Sequence, residues 1–177
     1  MNEVSFKGGG VEMDFKRKDN YNIEDLLEIM RLLRSPDGCP WDREQTHQSI
    51  RKNLIEETYE VAEAIDKEDP ALLREELGDV LLQVVFHTEM ERELGAFNFE
   101  DVCDGICKKL ITRHPHIFSD VIANTPDKVL RNWEEIKKHE KGHATQSQAI
   151  HSVPRTLPAL MRSEKVQHRA AKTGFDY

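Results

Sequence analysis

Apolar residues recur along this chain with the three-and-four spacing of helices, not the alternation of strands, so the predicted fold class is all-α, a helical bundle. The first such pattern spans residues 23–33 and is stopped by Arg34-Ser35-Pro36-Asp37-Gly38-Cys39-Pro40, a loop that ends at Trp41. Asp42, with Gln45 three residues on, offers a capping box for a second helix that continues to about residue 66, with a break near Ser49. Asp69-Pro70 opens a third, which Gly95 ends near Leu94. Asn98 caps a fourth that reaches about Thr112, because Pro115 disfavours helical dihedrals in the residue before it. Thr125-Pro126 starts a fifth, which ends around residues 140–142. The polar stretch 145–156 reads as a linker, and 158–172 as a last amphipathic helix ended by Gly174. The chain thus divides into a flexible leader over 1–20, a main helical domain over 21–142, and a linker with a C-terminal helix over 143–177.

The second helix carries an unusual stripe. Over Leu54-Ile55-Glu56-Glu57-Thr58-Tyr59-Glu60-Val61-Ala62-Glu63-Ala64-Ile65, a step of about 100° per residue puts the four glutamates within an arc of about 120°. One face is acidic, and the other, with Ile55, Tyr59 and Ile65, is expected to be core. Most charge stripes are simply solvated. Here, however, Glu56 and Glu60 repel at i,i+4, with no Lys or Arg interleaved until Lys67.

The third helix is apolar nearly all round over residues 77–86, the pattern of a helix in the middle of a bundle, yet Asp79, Gln83 and His87 recur every four residues with Glu76 beside Asp79. An ionised Asp in such a helix is costly unless it is paired or holds a metal, and no Lys or Arg lies between Glu76 and Glu91. An Arg from elsewhere is the alternative partner, and His87 reads as a hydrogen-bonded core histidine. Gly78 costs about 1 kcal/mol of helix propensity relative to Ala, which the close approach of a backbone or ligand would explain.

Set side by side, the i,i+3 pairs Glu57/Glu60 and Glu76/Asp79 form a cage of oxygen donors. Such a cage suits Mg²⁺, or Mn²⁺, over Zn²⁺. The chemistry that follows is metal-assisted attack of water on phosphorus, with Glu56 as the acceptor of the water's proton. A phosphate substrate also calls for cations. Lys109 and Arg113 stand four apart on the fourth helix, and Trp133 and Lys137 four apart on the fifth. The basic groups suit phosphates, and Trp133 suits a base or the core.

Composition works mainly by exclusion. The 177 residues are 38% hydrophobic and 33% charged, a soluble helical balance. The longest apolar run, 80–86, is far short of the roughly 20 residues that a membrane-spanning helix needs. With 25 Lys+Arg against 33 Asp+Glu, the net charge of −8 disfavours a nucleic-acid partner. The leader has no apolar signal-peptide core, and Cys39, Cys103 and Cys107 suit reduced thiols in a cytoplasm, with the latter two expected to pack. No Walker motif is present, and a faint Nudix-like run at 51–59 fails on the spacing of its upstream residues.

With these residues placed, the chain resembles the MazG-like nucleoside triphosphate pyrophosphohydrolases over about residues 23–141. The resemblance rests on Gly38-Cys39-Pro40-Trp41-Asp42 with Gln45-Thr46-His47, on E-E-x-x-E at Glu56 to Glu60, and on E-x-x-D at Glu76 to Asp79. Lys109 to Arg113, followed by His114-Pro115-His116-Ile117-Phe118 and then Trp133, complete it. It implies an all-α NTP pyrophosphatase fold that works as a homodimer or higher homo-oligomer. It also implies Mg²⁺-dependent cleavage of nucleoside triphosphates to monophosphate and pyrophosphate, by attack at the α-phosphorus. Glu57, Glu60, Glu76 and Asp79 would be metal ligands, and Lys109, Arg113, Trp133 and Lys137 nucleotide contacts. Asn53 stands where active copies can have a Lys, and it joins the substrate-binding positions.

Longer members of the family carry two copies, in some of which the first contributes little activity, and residues 153–177 resemble the segment that joins them. The alternative is therefore a catalytically weak nucleotide-binding or dimerisation module of a two-copy protein. A di-iron bundle on Glu44-x-x-His47 and Glu140-x-x-His143 fares badly, since Gly142 interrupts the second pair.

Overall fold

A computed structural model describes residues 6–8, 11–13, 15–121, 123–141 and 146–171. They are predominantly helical, as expected, and divide into two compact units, 1–105 and 106–177. The first holds α1 (Ile23–Arg34), α2 (Pro40–Glu44), α3 (His47–Asp66), α4 (Pro70–Glu93) and the start of α5 (Phe99–Arg113). The second holds the rest of α5, then α6 (Pro115–Phe118), α7 (Pro126–Lys141), α8 (Gln146–His151) and α9 (Ala159–Ala171). Where no strand was expected, β1 (Phe6–Gly8) pairs antiparallel with β2 (Val11–Met13), Phe6 opposite Met13. Strands of three residues are too short for alternation to register.

Local capping explains most helix ends. Asn22 Oδ1 accepts from the Asp25 amide at 3.1 Å and Asp25 Oδ2 from the Asn22 amide at 3.0 Å, which starts α1. Asp42 does not cap the second helix. Pro40 begins a separate short helix there, Gln45 leaves it with extended dihedrals, and the break falls at 45–46. Thr46 then caps α3 reciprocally with Ser49, so the serine read as a break is part of the new start. Asp69 caps α4 through the Ala71 and Leu72 amides, and Gly95, at φ +69°, follows its end. Asn98 and Asp101 cap α5 in the same way.

Two short helices escaped the periodicity, since neither is long enough to show one: α6, and α8 where a linker was expected. The segment after α8 is tied down by α9: Val153 is buried, and Arg169 donates to Ser152 Oγ at 2.7 Å. Gly174 lies outside the described residues.

The dominant packing is α3 on α4, with α1 laid against α4. Leu27, Met30, Ile50, Val85, Phe86 and Met90 form the core, at the start of α3 and the far half of α4. Arg34 fastens this end, donating to both carboxylate oxygens of Glu93 at 2.7 and 2.8 Å and to the Gln45 carbonyl at 3.3 Å, with its guanidinium over Phe86. The other end differs from expectation. Ile55, Tyr59, Ile65, Leu77 and Leu81 are exposed, Tyr59 at 53% and Leu77 at 51%, because none of the described residues of this unit covers them. Cys107, expected to pack, is also exposed. Among the described residues no helix is long and apolar enough to cross a membrane.

Candidate active site

The α3–α4 hairpin turns at 67–69, where Glu68 takes a left-handed φ of +53°. Glu60 and Glu76 lie eight residues either side of position 68, and Glu57 and Asp79 eleven either side. In an antiparallel hairpin such mirror positions face each other at the same level. Glu57, Glu76 and Asp79, all partly buried, bring carboxylate oxygens within 4.8 Å of one another. The more exposed Glu60 lies beside this group, close enough for its charge to act on both Glu57 and Glu76.

This crowding raises two of the acids. Desolvation is the largest cause for Glu57, followed by its hydrogen bond to Glu60 and the charges of Asp79, Glu60 and Glu76. Glu76 is raised by desolvation, then by the charges of Glu60, Glu75 and Asp79. Like charges in a poorly solvated place hold protons until a cation relieves them.

The acidic stripe is less uniform than its sequence. Lys52 pairs with Glu56 at 2.8 Å and Lys67, the residue that follows α3, with Glu63 at 2.7 Å, so the two ends of the stripe are neutralised by lysines close by in sequence. That corrects the expectation that no cation served Glu56. Among the described residues no cation pairs with Glu57 or Glu60. The donor set is therefore all oxygen, tightly grouped and uncompensated, and it fits a hard divalent cation.

The polar stripe of α4 divides. Gln83 is buried, and its Oε1 has no partner among the described residues. His87, as expected of a core histidine, is hydrogen-bonded: its Nδ1 lies 2.7 Å from Nδ1 of His47. Burial, then the neighbouring His47, push His87 below its usual range. His47 Nε2 in turn lies 2.8 Å from Glu91 Oε1, off the N–H direction. The di-iron reading fails on this geometry too, because Glu44 and His47 sit on different helices. Gly78 is not explained by the close approach of another backbone, since a Cβ there would meet no atom of the described residues within 4 Å.

The second unit carries the cationic group. The Arg113 guanidinium lies 5.7 Å, and the Lys137 ammonium 4.3 Å, from the centre of the Trp133 ring. Arg113 from the α5 pair and Lys137 from the α7 pair thus meet around one indole. Arg113 also binds Glu140, a residue that sequence reasoning did not connect with this group. Its signal was present: Trp133, Lys137 and Glu140 stand at i, i+4 and i+7, one face of α7. In the first unit Asn53 is partly buried on α3, one turn before Glu57.

An all-α protein with a carboxylate cage on a helical hairpin defines a class, and comparison with known proteins narrows it. The MazG nucleotide pyrophosphohydrolase domain matches residues 45–118. The "Nucleoside triphosphate pyrophosphohydrolase" of Escherichia coli (strain K12) is 51% identical over 156 residues, 88% of this chain and 59% of that protein. The "Nucleoside triphosphate pyrophosphohydrolase/pyrophosphatase MazG" of Thermotoga maritima is 49% identical, again over 88% of this chain and 59% of its own length. The crystal structure of a mazG-related protein from Thermotoga maritima superimposes with a TM-score of 0.55 at 31% identity, covering 66% of this chain and 99% of that one. The chain belongs to the MazG family. It spans 59% of the length of these two curated relatives.

Proposed function

We propose that this chain hydrolyses nucleoside triphosphates to nucleoside monophosphate and pyrophosphate with Mg²⁺, which Mn²⁺ can replace. The observation that carries this reading is the set of oxygens from Glu57, Glu76 and Asp79 within 4.8 Å, with the charge of Glu60 beside it and no compensating cation among the described residues. The names of the two pyrophosphohydrolase relatives support the substrate class.

Glu57, Glu60, Glu76 and Asp79 would hold the metal. When bound, a divalent cation neutralises phosphate charge and lowers the pKa of water. Glu56, one residue before Glu57 and paired with Lys52, takes the proton of the water that attacks the α-phosphorus. Lys109, Arg113 and Lys137 bind phosphate oxygens, Trp133 stacks on the base, and Asn53 is a further substrate contact. Residues 21–142 form the catalytic domain in this reading, with 143–177 as linker and C-terminal helix. The exposed apolar face of α3 and α4 suits a second copy of the chain, giving a homodimer or higher homo-oligomer. The compartment is the cytoplasm, which the three free thiols suit, and neither nucleic acid nor membrane is a partner.

The second reading, a weakly catalytic nucleotide-binding module, is favoured by one fact: longer relatives extend well beyond the matched region. Pyrophosphate release from a panel of triphosphates with Mg²⁺ separates the two. Turnover supports the hydrolase, whereas nucleotide binding without release supports the module.

A further inference from the structure

Glu140 stands among the very cations assigned to the nucleotide. Its Oε2 accepts from Arg113 Nε at 2.9 Å and from Arg113 Nη2 at 2.5 Å. The pair is partly sheltered, with 14% of the Arg113 side chain exposed and 30% of that of Glu140. The bond to Arg113 holds the Glu140 carboxyl below its usual range, and the charges of Lys109 and Lys137 add to that effect. Arg113 and Lys137 are also the two cations poised over Trp133.

A carboxylate oxygen that takes two guanidinium N–H groups does what a phosphate oxygen does at an arginine. We propose that Glu140 is an internal stand-in for a substrate phosphate: it occupies Arg113 in the free protein, and an incoming polyphosphate displaces it. The proposal rests on the reading that Lys109, Arg113, Trp133 and Lys137 receive the nucleotide, and it adds a residue that opposes binding.

Displacement subtracts the Arg113–Glu140 interaction from the binding energy of every ligand that uses Arg113. Glu140 therefore raises KM and favours the return of Arg113 to the closed pair once product leaves. It touches no reacting atom and is a positioning residue. A purely structural role predicts the opposite sign, because an Arg113 released from its support would bind phosphate worse.

The test uses the full chain and Glu140→Gln, with Glu140→Ala as the second variant should the first fail to fold. Inorganic tripolyphosphate, titrated calorimetrically without metal, is expected to bind Glu140→Gln about two- to fivefold tighter than the parent, the range such an ion pair allows. The KM for a nucleoside triphosphate should fall by a similar factor while kcat does not rise. Adding Arg113→Gln to Glu140→Gln should erase the gain. Equal or weaker tripolyphosphate binding in both Glu140 variants overturns the proposal, as does the absence of binding in every form. A parent chain that releases no pyrophosphate sinks the hydrolase reading, and the tripolyphosphate comparison still decides the role of Glu140.

Discussion

At the scale of single residues, the α3–α4 hairpin crowds carboxylates whose mutual repulsion the proposed metal would relieve. Raised folded-state pKa values at Glu57 and Glu76 mean that their favourable contribution is complete below the ordinary carboxylate range and is lost as pH rises through the raised values. The metal-free site is thus most strained near neutral pH. Mg²⁺ should accordingly raise Tm more at pH 7 than at pH 5 in differential scanning measurements, and an equal shift at both would count against the cage. Glu57→Gln removes one of the clashing charges, so metal-free stability should rise by about 0.2–0.5 kcal/mol while turnover is lost. Urea titration alongside the pyrophosphate assay reads both effects. Glu60→Gln and Asp79→Asn should each abolish turnover with helical circular dichroism almost unchanged.

At the scale of elements, the junction between α1 and α3 is governed by steric and capping detail. A Cβ at Gly38 would lie 2.1 Å from the Leu32 carbonyl oxygen and 2.4 Å from that of Leu33, because the loop folds back so that the Cys39 amide reaches Leu33 O at 2.7 Å. Gly38→Ala must shift backbone and should cost about 2 kcal/mol or more. Thr46→Ala removes the true cap of α3 and should cost about 1 kcal/mol, whereas Asp42→Ala, whose carboxylate caps nothing there, should cost much less. Equilibrium unfolding of the three variants checks the ranking. A larger loss at Asp42 would restore the cap read from sequence.

Helix existence was legible because long amphipathic runs, Asp69-Pro70 and Gly95 each have a local cause. The position of the break before α3 was not, since Asp42/Gln45 and Thr46/Ser49 both satisfy the capping pattern and only packing chooses. Gly38 reads as an ordinary turn glycine until the loop is seen closing on α1.

At the scale of the whole molecule, the unpartnered apolar residues are informative. Ile55, Tyr59, Leu77 and Leu81 were read as core, and the periodicity behind that reading is sound, but none of the described residues of the first unit covers them. A second copy is the occupant proposed here. Sedimentation equilibrium should therefore find a dimer or larger species for the parent, and Leu77→Lys with Leu81→Lys should shift it to monomer without loss of helix. A monomeric parent at micromolar concentration would remove homo-oligomerisation from the proposal.

Sequence by itself determined the all-α class and the main helices, for these follow from short-range periodicity and caps, and it offered the four acids as candidates from their i,i+3 spacing on two helices. Tertiary structure alone decided which acids stay uncompensated, which apolar residues are left bare, and that Arg113, Trp133, Lys137 and Glu140 form one group. Those are matters of which surfaces meet across space, and pairing between distant segments leaves no local period to read.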